Sequence, residues 1–242
     1  MAKLTVSAVP VLNDNYVWLI EDAETGETAA VDPSVADPVL GAAAARGLKI
    51  GQVLNTHWHP DHTGGNDNIR DATGCIVTGP REAERVSRID HVVAEGDRVT
   101  VAGSSAVVWA IPAHTIGHIA FYFEDQAMIF VGDTMFAMGC GRLFEGTAEQ
   151  MYSNLQRIAA LPDHVRIYCG HEYTLANARF AQHVEPQNRD IAERLKRAAS
   201  MRERGEITLP TTVAEERATN PFVRASDVQE FARLRAEKDS FG

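Results

Sequence analysis

Between His57 and His62 the chain reads His-Trp-His-Pro-Asp-His, which places three imidazoles and a carboxylate within six residues. Such side chains are ligands for borderline divalent metals, and zinc, iron and manganese all accept them. The cluster directly follows a short strand candidate, Val53 to Asn55, and a loop after a buried strand can turn closely spaced side chains toward one point. Pro60 and Gly64-Gly65 punctuate the segment, so His57, His59, Asp61 and His62 are expected on a loop rather than on a helix face. Four donors so close cannot comfortably surround one ion. Their crowding points to two adjacent metals that share ligands, and a hydroxide held between two metals is nucleophilic at neutral pH because coordination lowers the pKa of water by many units.

Two metal shells need more donors, and three later strand ends supply them. His114 follows Val107 to Ile111, Asp133 follows Met128 to Val131, and His171 follows Ile167 to Cys169. The elements that must position these residues are readable from pattern. Short apolar or β-branched runs at Val17 to Ile20, Thr28 to Val31, Val53 to Asn55, Cys75 to Val77, Val99 to Val101, Ala106 to Ile111, His118 to Phe123, Ala127 to Val131 and Val165 to Cys169 read as strands. Val39 to Arg46 reads as a helix, and Thr147 can cap another in which Met151, Leu155 and Ile158 recur at helical spacing. After His171 the character changes. Tyr173 to His183 and Asn188 to Arg204 are helical in composition, and Ser226 can cap a final helix with Val228, Phe231 and Leu234. Mixed elements imply sheets covered by helices, followed by a helical last third.

Composition narrows the classes. A chain of 242 residues with ordinary apolar content can bury a real core. No apolar stretch is long enough to span a bilayer, and Met1 to Ile20 has no cleavage-type signal, so a cytoplasmic protein without membrane partners is expected. Cys75, Cys140 and Cys169 fit neither a disulfide framework nor a thiolate metal site. A net charge of -10 would repel a polyanion, so nucleic acid is not expected as a partner, and an anionic small substrate would need a local cationic patch.

The motif at His57 to His62, with His114, Asp133 and His171 downstream, resembles that of the metallo-β-lactamase superfamily. That resemblance implies an α/β fold, a four-layer αββα sandwich. More narrowly, "NDNYVWLI", "HTIGHIAFYF", "GDTMF", "GCGRLFEG", "GHEYTLANARFA", "EPQN", "TNPFVR" and "RAEKD" are similar to stretches of the hydroxyacylglutathione hydrolase (glyoxalase II) family. The resemblance implies a catalytic domain over residues 1–171 and an α-helical glutathione-binding domain over residues 172–242. It implies one metal held by His57, His59, His114 and Asp133 and a second held by Asp61, His62, Asp133 and His171, with Asp133 bridging and zinc the first expectation, iron or manganese the others. The implied reaction is hydrolysis of S-D-lactoylglutathione to D-lactate and glutathione in methylglyoxal detoxification, by attack of a metal-bridging hydroxide with Asp61 and Asp133 as catalytic carboxylates. Arg142, Tyr173, Arg235 and Lys238 match the family's glutathione-binding positions, and a monomer is expected. Some relatives have Lys and Tyr where Arg142 and Phe144 stand. The nearest competing reading is a glutathione-persulfide dioxygenase with a single iron.

Other residues carry plainer expectations. His118 sits at a strand, after Gly117, and reads as a structural histidine; His91, His164 and His183 occur singly in polar or helical contexts. Cys140 and Cys169 read as packing residues. Asp32, at a strand end, either orients a ligating histidine or begins a turn. On composition alone, Arg235 and Lys238 are a solvated helix face.

Overall fold

The β-branched runs of the first half form two sheets in the computed structural model, which describes residues 4–101 and 103–241. The chain divides into two units, Met1–Ala110 with Gly117–Gly132, and Ile111–Ile116 with Asp133–Gly242.

In the first unit, strand Leu4–Val11 pairs antiparallel with Asn15–Asp22 around a tight turn in which Leu12 adopts a left-handed φ of 52°. Glu27–Val31 continues antiparallel, and Lys49–Leu54, Ile76–Gly79 and His91–Val92 then add in parallel. Parallel neighbours need crossovers. Helices Ala36–Ala44 and Asn66–Thr73 provide the first two, packing Val39, Ala43 and Ile69 against Val17, Leu19, Ala30, Ile50, Val53 and Val77, and the 3-10 turn Arg81–Arg85 lies in the third. Each fully buried aliphatic side chain there contributes about 1.5–3 kcal/mol. The second sheet is an antiparallel series, Arg98–Val101, Ser104–Ala110, Ile119–Phe123 and Met128–Gly132. It buries Phe121, Phe123 and Phe130, the last two meeting edge to face.

Parallel pairing gives the site its address. Because Glu27–Val31 and Lys49–Leu54 run the same way, Asp32 and the histidine loop emerge at one sheet end, joined by Asp32 N–H donating to Leu54 O at 2.9 Å.

The second unit begins with a two-residue-a-side hairpin, Met135–Phe136 with Gly139–Cys140. Helix Ala148–Ala159 follows, its N-terminus closed by a capping box in which Thr147 Oγ1 accepts from Gln150 N and the Gln150 side chain answers the Thr147 N–H. Met151, Leu155 and Ile158 are fully buried, as their spacing predicts. Strand Arg166–Cys169 pairs with Thr211–Thr212, and helices Thr174–Val184, Arg189–Glu203, Val213–Thr219, Pro221–Arg224 and Val228–Ser240 make up the rest.

Three readings need correction. Pro60–Thr63 forms a helical turn, so Asp61 and His62 lie on helical backbone and not on an open loop. Pro60 at the first helical position pre-sets φ there, and Thr63 Oγ1 bonds back to His59 O. The final helix is capped by Asp227, whose side chain accepts from Glu230 N, while the Ser226 N–H is held by Glu230. Strand Leu4–Val11 and helices Asn66–Thr73 and Val213–Thr219 are additional to the elements read from pattern.

Candidate active site

The histidine loop is held from beneath by Asp32. This carboxylate is buried, on backbone with φ 53°, and accepts from Thr56 N at 2.8 Å and Thr56 Oγ1 at 2.7 Å. Since the Thr56 hydroxyl donates to Asp32, it accepts from His57 Nδ1, 3.0 Å away. Asp32 Oδ2 also stands 3.2 Å from His62 Nδ1. Both imidazoles are thereby given a partner at Nδ1, which leaves Nε2 as the donor atom. Of the two readings of Asp32, the orienting one is what its contacts support.

The donor atoms converge in pairs. His57 Nε2 lies 3.1 Å from His59 Nδ1, and Asp61 Oδ2 lies 3.5 Å from His62 Nε2. Ligands of one tetrahedral ion with bonds of about 2.0–2.1 Å stand about 3.3 Å apart, so both pairs have the spacing of atoms sharing an ion. Asp61 is anchored by Asn15, whose Nδ2 reaches its carbonyl and its Oδ2 at 3.1 Å each, and by the Ser34 hydroxyl on its carbonyl. His118, buried as expected, stacks on His57 with ring centroids 4.6 Å apart and 14° between planes. Asn15 and Ser34 are supports that no pattern singled out, because each acts on Asp61 across a long stretch of chain.

In the second unit, His114 Nε2 and His171 Nε2 stand 3.4 and 3.3 Å from one atom, Asp133 Oδ2. One carboxylate oxygen thus faces two imidazoles, again at ligand-to-ligand spacing. His114 Nδ1 donates to Arg142 O at 2.9 Å, which leaves Nε2 as the atom it can offer a metal. Gly141 permits the close approach: a Cβ there would fall 1.9 Å from Asp133 O and 3.1 Å from His114 Nδ1. These donors, imidazole nitrogens and carboxylate oxygens, suit zinc, iron or manganese.

The residues matched to glutathione binding lie in the same unit. Tyr173 stacks on His171, centroids 4.7 Å apart and planes within 5°. Arg142 is exposed, its Nε 3.8 Å from Asp239 Oδ1, and Arg235 Nη2 bonds the same Asp239 oxygen at 2.9 Å. Burial, then the Arg235 and Arg142 charges, push Lys238 below the usual lysine range. The acidic chain therefore carries a local cationic patch. Arg235 is not a solvated residue: it is 6% exposed, donates Nη1 to Cys140 O at 2.8 Å, and stacks its guanidinium over Phe222. Phe144 and Ile116 are exposed apolar groups, and Phe144 leans on His114. The three cysteines are buried free thiols. Burial raises Cys140 to about 11 and Cys169 further, so neither supplies a thiolate nucleophile at neutral pH.

Comparison with known proteins identifies the family and the fold. The model of the metallo-beta-lactamase superfamily matches residues 12–171, and that of the hydroxyacylglutathione hydrolase C-terminus matches residues 172–241. A hydroxyacylglutathione hydrolase from Methylococcus capsulatus is 47% identical, over 98% of this chain and 99% of the relative; one from Erythrobacter litoralis is 45% identical, over 98% and 100%. Among solved structures, ETHE1 from Myxococcus xanthus superposes with a TM-score of 0.74 at 27% identity, over 96% of this chain and 90% of that one. The B3 metallo-beta-lactamase BLEG-1 superposes with a TM-score of 0.71 at 18% identity, over 90% and 99%, which speaks for the fold alone. The chain has the metallo-β-lactamase fold followed by a helical C-terminal region, and it belongs to the hydroxyacylglutathione hydrolase family.

Proposed function

We propose that the chain is a metal-dependent thioesterase that hydrolyses S-D-lactoylglutathione and related S-2-hydroxyacylglutathiones to the 2-hydroxy acid and glutathione, in methylglyoxal detoxification in the cytoplasm, as a monomer. Among the described residues no helix is long and apolar enough to cross a membrane. The observation that carries the reading is the match to the hydrolase family's own C-terminal model over residues 172–241, next to the convergent His and Asp donors. The C-terminal match to the hydrolase family's own model favours this reading over a β-lactamase or a dioxygenase. The proposed functional boundary therefore falls at residues 171 and 172.

Two divalent ions, zinc in first place, would be held by His57, His59, His114 and Asp133, and by Asp61, His62, Asp133 and His171. When bound, such ions acidify water and polarise a carbonyl oxygen. The chain's own residues do the rest. Asp32, through Thr56 and directly, keeps His57 and His62 presenting Nε2. Arg142 O does the same for His114. Arg142, Arg235 and Lys238 offer cations to the glutathione carboxylates, and Tyr173 packs on the ligand His171 beside them. Glutathione leaves as a thiolate, which is stable enough that no strongly acidic side chain has to protonate it.

The test is turnover of S-D-lactoylglutathione by the purified chain, with elemental analysis. Thioester hydrolysis with about two ions per chain is expected. Oxygen consumption with glutathione persulfide and a single iron would overturn the reading.

A further inference from the structure

The segment from Asp133 to Arg142 carries three groups the site needs. Asp133 is at its start, Cys140 O receives Arg235, and Arg142 O receives His114 Nδ1. Between them lies the hairpin Met135–Phe136 with Gly139–Cys140, wholly buried and turned at Met138 with φ 59°. A hairpin with two residues a side does not hold its own shape.

Side chains from the helices hold it by its backbone. Asn177 donates Nδ2 to Ala137 O at 3.1 Å. Asn220 donates Nδ2 to Gly139 O at 2.9 Å and Phe136 O at 3.3 Å. Glu216 accepts from Met138 N at 2.9 Å and from Asn220 at 2.8 Å. Glu216 is itself locked, since its other oxygen accepts from Arg194 Nη2 at 2.7 Å and Thr211 Oγ1 at 2.6 Å. Contact is tight enough that a Cβ on Gly139 would sit 2.3 Å from Asn177 Nδ2. Apolar packing would have covered the hairpin but left these carbonyls unsatisfied and its rotation free. Directional bonds set its height and tilt, and Asp133 and Arg142 each lie only two residues beyond it, with no slack to absorb a shift.

We infer that Asn177, Glu216 and Asn220 are positioning residues for the metal half-site of His114, Asp133 and His171, acting through this hairpin. The helical region thus has a role in metal retention besides substrate recognition. The inference rests on the reading of those three residues as metal ligands.

The test compares full-length Asn177→Ala and Asn220→Ser with Arg217→Ala. Serine retains an N-cap acceptor for Phe222 N, now made by Asn220 at 3.0 Å, but is too short for the hairpin carbonyls. Arg217 bonds Ala159 O, Leu161 O and Asp163, so its loss destabilises the same helix without touching the hairpin. Zinc affinity is measured by competition with a chromophoric chelator, ligand geometry by the visible spectrum of the cobalt(II)-loaded protein, and stability by thermal melting. Both Asn variants are expected to bind zinc about 10–100-fold more weakly, with a shifted cobalt spectrum; Arg217→Ala is expected to melt earlier with affinity and spectrum unchanged. Wild-type affinity and spectrum in the Asn variants overturn the inference, as does an equal affinity loss in Arg217→Ala. A wild type that binds no metal overturns the underlying reading instead. Asn177→Ala, which removes one bond, carries the comparison if Asn220→Ser does not fold.

Discussion

Arg235 is the residue whose role the structure changes most, and replacing it with alanine separates its two duties. Its charged bond to the buried Cys140 carbonyl contributes about 1.5–3 kcal/mol. Its pairing with Asp239, whose side chain is 48% exposed, adds about 0–1 kcal/mol after solvent screening. The guanidinium over the buried Phe222 ring, 5.2 Å from the centroid, adds about 0.5–2 kcal/mol. The sum is about 2–6 kcal/mol, which at roughly 2–4 °C per kcal/mol lowers the melting temperature by about 4–24 °C. If Arg235 also binds a glutathione carboxylate, KM for S-D-lactoylglutathione rises by roughly one to two orders of magnitude while kcat moves less, because a contact remote from the scissile bond is similar in ground and transition states. Lys238→Ala is the contrast. Lys238 is part-exposed, donates to Ala176 O at 3.2 Å and stands over the Phe180 and Phe241 rings, so KM should rise with a smaller loss of melting temperature than in Arg235→Ala. Scanning fluorimetry and steady-state kinetics on both variants decide it. An Arg235→Ala protein that melts within about 2 °C of wild type would refute the stability estimate built on these contacts.

Asp61→Ala removes the carboxylate spaced 3.5 Å from His62 Nε2, and elemental analysis should show about one ion fewer per chain; unchanged metal content and rate would reject its place among the ligands. Because its pKa is depressed, Lys238 loses its charge at lower pH than an ordinary lysine. KM should hold steady below that point and rise with pH through it, and Lys238→Arg should abolish the alkaline rise; a rise that persists in the arginine variant assigns it to another group. Thr147→Ala breaks the capping box of helix Ala148–Ala159 and should cost about 1 kcal/mol in urea unfolding, an effect that an unchanged midpoint would contradict.

How far the site was legible depends on the range over which each residue acts. The proposed metal donors were legible because coordination restricts residue type and places ligands at strand ends: His57, His59, Asp61, His62, His114, Asp133 and His171 stand out by identity and position. The helix at Thr147 was legible for a similar reason, its cap and apolar period being local. Supports of the donors were not. Asp32 acts on Thr56 across 24 residues and Asn15 on Asp61 across 46, and both depend on which strands pair. The partner of His114 Nδ1 is a backbone carbonyl at Arg142, where side-chain identity carries no signal. Arg235 looked solvated because a cation on a polar helix normally is. Its burial follows from a carbonyl and an aromatic ring, Cys140 O and Phe222, that only folding brings to it.

That division has a chemical consequence. An imidazole ligand has two nitrogens, and the sequence motif does not say which one is offered. In this chain the choice at His57, His62 and His114 is made at Nδ1, by Thr56, by Asp32 and by a main-chain carbonyl respectively. One buried carboxylate therefore orients two imidazoles at once, directly for His62 and through one hydroxyl for His57. A neutral amide at position 32 could still accept at one atom but would have to donate at the other, so it could not serve the Thr56 N–H, the Thr56 hydroxyl and His62 together. The requirement at position 32 is thus for a carboxylate acceptor, and it comes from Thr56 and His62, although Asp32 is separated from them by the strand Lys49–Leu54 and helix Ala36–Ala44 in sequence.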